Sequence, residues 1–380
     1  MKVKLESFLQ EVSEKTTENN QYPVLTSSKA GLYLQSDYFN KQVASKDNTG
    51  YKIIKRGQFT YRAMSDTGEF FPNMLDCTDI GIVSPAYPVF EIAKPVVIPE
   101  FLKYYFKSYG FQQSISSFAQ GSTRTSVKYG KLKTVTIDLP EIEEQRKIVE
   151  ILDTAQKLIA HRETEIEKLD DLIKARFVEM FGTLDNSSQE FAKATLKELC
   201  NKITDGKHGG CKAEEGTERY FVGAREIYDD EVHYNTAPEI NIDEFEKDYK
   251  RCNIEIGDFL IVNTGATIGK SAIATDERTE HTLLQKSVAL LKVKKEVLNP
   301  VFLKWCYRVN TQMYIVKSAS AQPNLLLSKI NATVIYVPNI ELQSQFVSFV
   351  EQVDKSKVVA QKMLDEAQTL FDSLMQEYFG

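Results

Sequence analysis

The sequence predicts an α+β protein made as a tandem repeat. Two globular mixed α+β modules are separated by a pair of long antiparallel coiled-coil helices, with pseudo-twofold internal symmetry. Three observations carry this expectation. Residues 139–182 align without a gap on residues 337–380 at an offset of 198, so that Pro140, Ile142, Gln145, Phe181 and Gly182 recur as Pro338, Ile340, Gln343, Phe379 and Gly380. Both aligned segments carry apolar residues at heptad spacing. Between them lie short β-rich runs punctuated by Gly, Asn and Pro.

In chain order, residues 1–140 form the first module. Its run TVTIDL reads as a strand, and FLKYYFKSYGFQQSI reads as one amphipathic helix. Residues 141–182 form the first spacer helix. Leu152, Ile159, Ile166, Ile173 and Met180 repeat every seven residues, with Ala155 and Leu169 beside them, which makes a coiled-coil seam. Arg162, Glu163 and Glu165 read as its solvated face. Acidic residues crowd the first turn, where they suit the helix dipole, and Gly182 stands at the position of a terminal cap.

Residues 183–338 form the second module, with strand-like SVALLKV and ATVIYV and a helix-like PVFLKWCYRVNTQMYIV. Two weaker echoes join the modules: KIIKRGQF resembles CNIEIGDF, and FLKYYF resembles FLKWCY. Residues 339–380 form the second spacer helix. Its seam is Val350, Lys357, Leu364, Phe371 and Tyr378, accompanied by Val353, Ala360, Ala367 and Leu374. About 35 residues at 1.5 Å each make a rod of about 50 Å. A first helix that carries the chain to the second module requires the second helix to run back antiparallel, which gives a dumbbell.

The stretch GDFLIVNTGATIGKSAIA, residues 257–274, resembles a phosphate loop, but three residues rather than four separate Gly265 from Gly269. The SAIAT that follows is small and β-branched and reads as a strand, whereas a phosphate loop opens a helix. The glycines read as a tight turn between strands.

Composition and charge narrow the classes. No apolar run approaches the ~20 residues of a membrane span, and the chain reads as cytoplasmic with no membrane partner. Cys77, Cys200, Cys211, Cys252 and Cys306 contain no CxxC pair, so neither a disulfide framework nor a zinc ribbon is expected. No metal site is expected from His208 and Cys211, whose spacing has no second pair to complete it.

The net charge of −6 is unevenly spread. Lys and Arg against Asp and Glu number 17 to 13 in residues 1–140, 7 to 11 in 141–182, 20 to 22 in 183–338 and 3 to 7 in 339–380. The acidic excess sits mainly in the helices and does not veto nucleic-acid binding by the modules. Two similar modules on a rigid spacer suit a target that is itself two-part and evenly spaced, as duplex DNA is.

The Pro, Ile, Gln pattern opening each helix, the Phe-Gly closing it, the duplication and the stretch IGDFLIVNTGATIGKSAIA together resemble the DNA-specificity subunit of type I restriction-modification enzymes. The resemblance covers essentially the whole chain. It implies a non-catalytic subunit in which each module is a target recognition domain reading half of an interrupted sequence. The helix pair would act as a ruler and dock two methyltransferase subunits, to which restriction subunits can add. S-adenosylmethionine, ATP and magnesium would belong to those partners, with no cofactor on this chain. In keeping with this, the chain has no Asn/Asp-Pro-Pro-aromatic run for amino-methylation and no glycine-rich cofactor strand.

Base reading calls for polar and basic side chains on loops that approach the duplex. In the first module GSTRTSVKYGK offers Ser122, Arg124, Thr125 and Lys128, with Lys29, Tyr61 and Arg62 as further candidates. In the second, ASAQPNLLLSK offers Gln322 and Asn324, beside Lys207, His208, Arg225, Asn263, Thr264, Thr267 and Lys270. The first module has GQFTYRAMSDTGEF where the second has GDFL and its paired glycines, so the sets need not correspond. Two alternatives stand beside this reading: a two-headed protein scaffold that does not touch DNA, and an ATP-hydrolysing enzyme built on TGATIGKS.

Overall fold

A computed structural model describes residues 1–38, 47–119, 125–310 and 325–380. The chain folds into two compact units, residues 1–163 with 361–380, and residues 164–360. Each contains one module and part of each long helix.

In the first unit, four antiparallel strands lie in the order Leu9–Val12, Val89–Ile92, Phe59–Thr60 and Asn73–Met74. A separate pair, Lys2–Lys4 with Thr136–Asp138, ties the start of the module to the residues that lead into the first long helix. The core is aromatic: Phe59, Phe90, Phe101, Phe106 and Phe111 are all 0–1% exposed, and Phe106 meets Phe111 edge-on at 5.0 Å. The single helix expected over FLKYYFKSYGFQQSI is two, Pro99–Tyr105 and Tyr109–Ser116. Ser108 makes the break, because its Oγ accepts the N–H of Phe111 and so caps the second helix. Ile148 and Leu152 of the first long helix lie in this core, and Phe371, Leu374 and Tyr378 of the second pack against it.

The second unit repeats the plan. Its strands run in the order Cys200–Asp205, Val288–Val293, Phe259–Val262 and Ser271–Ile273, all antiparallel. Ala192–Thr195 pairs with Val334–Val337, as Lys2–Lys4 does with Thr136–Asp138. Within the expected helix PVFLKWCYRVNTQMYIV, the described part is helical over Pro300–Val309. Here Lys357 donates to Asp170 at 2.9 Å and Phe177 meets Phe346 at 5.3 Å, so numbers rise along one helix as they fall along the other: they run antiparallel.

The repeat reaches single side chains. Gln145 Nε2 donates to the carbonyls of Val96 and Pro140, while its Oε1 accepts the N–H of Ile98. Gln343 does the same with Val297, Pro338 and Asn299. Likewise Gln58 accepts the N–H of Lys55, and Asp258 that of Glu255.

Both long helices have 40 residues, Ile142–Phe181 and Ile340–Phe379. Leu152, Ala155 and Ile173 in one seam, and Val350, Val353, Ala360 and Ala367 in the other, are buried as the spacing predicts. Of the face read as solvated, Glu163 is exposed, while Arg162 and Glu165 are half-buried. Among the described residues, no helix is long and apolar enough to cross a membrane.

Candidate nucleic-acid interface

In the second unit the strands Phe259–Val262 and Ser271–Ile273 pair antiparallel, with Leu260 opposite Ala272, so TGATIGKS closes a β-hairpin. Gly269 N–H donates to Val262 O at 2.9 Å and Ile268 N–H to Gly265 O at 3.3 Å. Gly265 and Gly269 have φ of +106° and +92°, a region costly for other residues, which explains why the loop carries two glycines. No helix follows, and the nucleotide-loop geometry is absent.

This hairpin presents Lys270, which is exposed and makes no ion pair among the described residues. Thr267 is half-buried, its hydroxyl 3.5 Å from Ala224 O. Thr264 is half-buried as well, donating to Asn263 Oδ1 at 3.3 Å. Asn263 is only 5% exposed, and its backbone is held by Ser287 and Leu325. Its place is the floor of the loop, below the surface where a base edge could be met. Arg225 is exposed on the adjoining turn.

Lys207 departs most from the expectation. Its ammonium lies 2.7 Å from Asp248 and 3.3 Å from Glu244, and Asp248 in particular raises its pKa. A cation already matched by two carboxylates gains little from a phosphate, so it is better read as fastening its loop to the helix Ile242–Tyr249. His208 pairs with Asp205 at 3.3 Å, which Arg251 also holds.

In the first unit, Tyr61 corrects the sequence expectation. It is 0% exposed, lies edge-on to Phe90 and donates its hydroxyl to Val127 O at 3.0 Å. Burial raises its pKa. Tyr61 directly follows a core strand, where packing claims the ring and leaves no surface for DNA. The other described candidates gather around the segment 62–71. Arg62 faces Asp66 at 3.7 Å, Lys29 faces Glu69 at 3.2 Å and lies over the Phe71 ring, and Thr125 Oγ1 donates to Ser65 O at 3.2 Å. That segment is held from below by Gln112 and Ser116, which donate to Phe70 O and Gly68 O. Lys128 is exposed at the start of the short helix Tyr129–Leu132 and makes no ion pair among the described residues. Ser122, Arg124, Gln322 and Asn324 lie outside the described residues.

The family model of the type I restriction modification DNA specificity domain matches this chain twice, over residues 6–170 and 188–366. The chain belongs to that specificity family. Among its curated relatives is the specificity subunit of the type I restriction enzyme EcoBI from Escherichia coli, 22% identical, with 70% of this chain and 61% of that protein covered. Another is the EcoKI specificity subunit of Escherichia coli strain K12, 19% identical, with 74% of this chain and 64% of that protein covered. The chain thus spans less than two thirds of either relative's length.

Two solved structures share the fold. The S subunit of a type I restriction-modification system from M. genitalium matches with a TM-score of 0.51 and 17% identity, covering 100% of this chain and 96% of that one. A chain from a study of complex assembly and conformational transition in a type I system matches with a TM-score of 0.61 and 16% identity, covering 100% and 97%. These likenesses show the fold that this chain shares, two mixed α+β modules with two long helices.

Lys286 and Ser287 belong to the same surface and were not singled out from the sequence. Lys286 is exposed, and its N–H donates to Lys207 O at 2.9 Å. The strand SVALLKV was legible, whereas the polar residues entering it draw their meaning from loops distant in the chain.

Proposed function

We propose that this chain is the non-catalytic specificity subunit of a type I restriction-modification enzyme. Each unit reads one half of an interrupted duplex sequence, the long helices fix the spacing and dock two methyltransferase subunits, and restriction subunits join that core. S-adenosylmethionine, ATP and magnesium are then used by the partners.

The observation that carries this reading is the double occurrence of one specificity domain whose loops differ between copies. The shared framework of strand pairs and glutamine contacts is retained, while the surface differs: Arg62, Lys29 and Lys128 on one copy, Arg225 and Lys270 on the other. Two copies that kept their scaffold and changed their surface suit two different half-sites.

Methylome sequencing of a host with and without this chain tests the proposal. The expected result is one bipartite methylated sequence with a fixed spacer that disappears when the chain is removed. An unchanged methylome, with DNA binding unaffected by Lys128→Ala and Lys270→Ala, would favour the two-headed protein scaffold.

A further inference from the structure

In the second unit three polar loops far apart in the chain meet at one serine. Ser287 Oγ accepts the N–H of Ala224 at 3.1 Å, and Ser287 O accepts the N–H of Asn263 at 3.0 Å. Ala224 O lies 3.5 Å from the Thr267 hydroxyl, which closes the triangle between the turn 223–226, the hairpin loop 263–270 and the segment 285–287. The approach is close enough that a Cβ on Gly223 would fall 2.3 Å from Gln285 Oε1. Glu226, 7% exposed, fixes the turn by accepting the N–H of Gly223 at 2.8 Å.

Each of these three segments carries one exposed cation: Arg225, Lys270 and Lys286. None makes an ion pair among the described residues. Several cations of this unit are matched internally, as Lys207 is by Asp248, Arg278 by Asp276 and Arg308 by Asp230. Others, such as Lys193, Lys197 and Lys247, are also without an ion pair among the described residues. What sets Arg225, Lys270 and Lys286 apart is that their loops are hydrogen-bonded to one another. Unmatched charge on loops that share hydrogen bonds is suited to an external polyanion, since binding then costs neither a broken ion pair nor the ordering of separate loops.

We propose that Arg225, Lys270 and Lys286 form one phosphate-binding cradle for the duplex backbone, and that Ser287 is the positioning residue that holds its three loops in register. The proposal rests on the DNA-specificity reading above and adds which residues hold phosphate and what aligns them.

The test uses the full chain and a labelled duplex of arbitrary sequence, titrated over a series of salt concentrations. Each of Arg225→Ala, Lys270→Ala and Lys286→Ala is expected to weaken binding and reduce the slope of log K against log salt by about one. Ser287→Ala is expected to reduce the slope with its cations intact, whereas Ser287→Thr, which keeps the hydroxyl, restores it. Thermal unfolding of every variant separates loss of the cradle from loss of the fold. Wild-type slope in the three folded cation variants overturns the cradle, and a wild-type slope in folded Ser287→Ala overturns the positioning role. Absence of any DNA binding by the wild-type chain and by its complex with methyltransferase subunits would instead remove the specificity reading itself.

Discussion

At the scale of residues, the repeated glutamine shows how a polar side chain can define a helix entry. Gln145 and Gln343 are both 0% exposed, and each satisfies one backbone N–H and two carbonyls. Their recurrence was visible in the alignment, but their role depends on loops some 45 residues upstream that only the folded chain brings near. Replacing either by Ala orphans buried backbone groups at about 1–3 kcal/mol each. Urea unfolding should show Gln343→Ala and Gln145→Ala destabilised by at least that amount. Asp276 permits a prediction with a pH sign. The Arg278 guanidinium, bonded to both carboxylate oxygens, holds its pKa below the ordinary 3.8. A depressed carboxylate contributes stability above its unfolded pKa and loses it as pH falls through the folded value. Asp276→Asn should therefore cost up to about 1 kcal/mol at neutral pH, a surface-pair magnitude, and the difference from wild type should shrink in unfolding titrations as pH falls below the ordinary carboxylate range.

At the scale of elements, the hairpin at 263–270 separates what pattern reading can and cannot see. The spacing of its glycines and the β-branched run after Lys270 sufficed to reject a phosphate loop, because both are local features. Tyr61 was misread because an aromatic beside an arginine on a loop looks the same in sequence whether its ring faces solvent or the core. The break at Ser108 was missed for a related reason: apolar periodicity continues through it, and only the cap reveals two helices. The hairpin reading predicts that Gly269→Ala, forced to φ near +92°, loses about 1–2 kcal/mol in thermal or denaturant unfolding. It also predicts that equilibrium dialysis of the isolated chain detects no ATP, since no helix N-terminus stands behind these amides. Binding of ATP that is abolished by Lys270→Ala would restore the discarded reading.

At the scale of the whole molecule, the proposed function gives the long helices the task of spacing two half-sites. Each is an unbroken element of 40 residues, about 60 Å at 1.5 Å per residue, with part of its length in each unit. Their seams are closed by side-chain packing, as Phe177 against Phe346 shows, and by the Lys357 to Asp170 ion pair. A helix transmits rotation as well as distance, unlike a flexible linker, whose ends sample many separations. Adding one base pair between half-sites moves them by about 3.4 Å and turns one relative to the other by roughly 35°. Compensating for that turn would mean unwinding the seams or distorting the duplex, at the expense of contacts in one half-site. The predicted outcome is that, in complex with methyltransferase subunits, the chain binds its sequence with one spacer and falls to non-specific affinity when a single base pair is inserted or removed. Competition binding across a spacer series measures this directly. Equal affinity over several spacers would mean that the helices do not set the distance, even if both units read DNA.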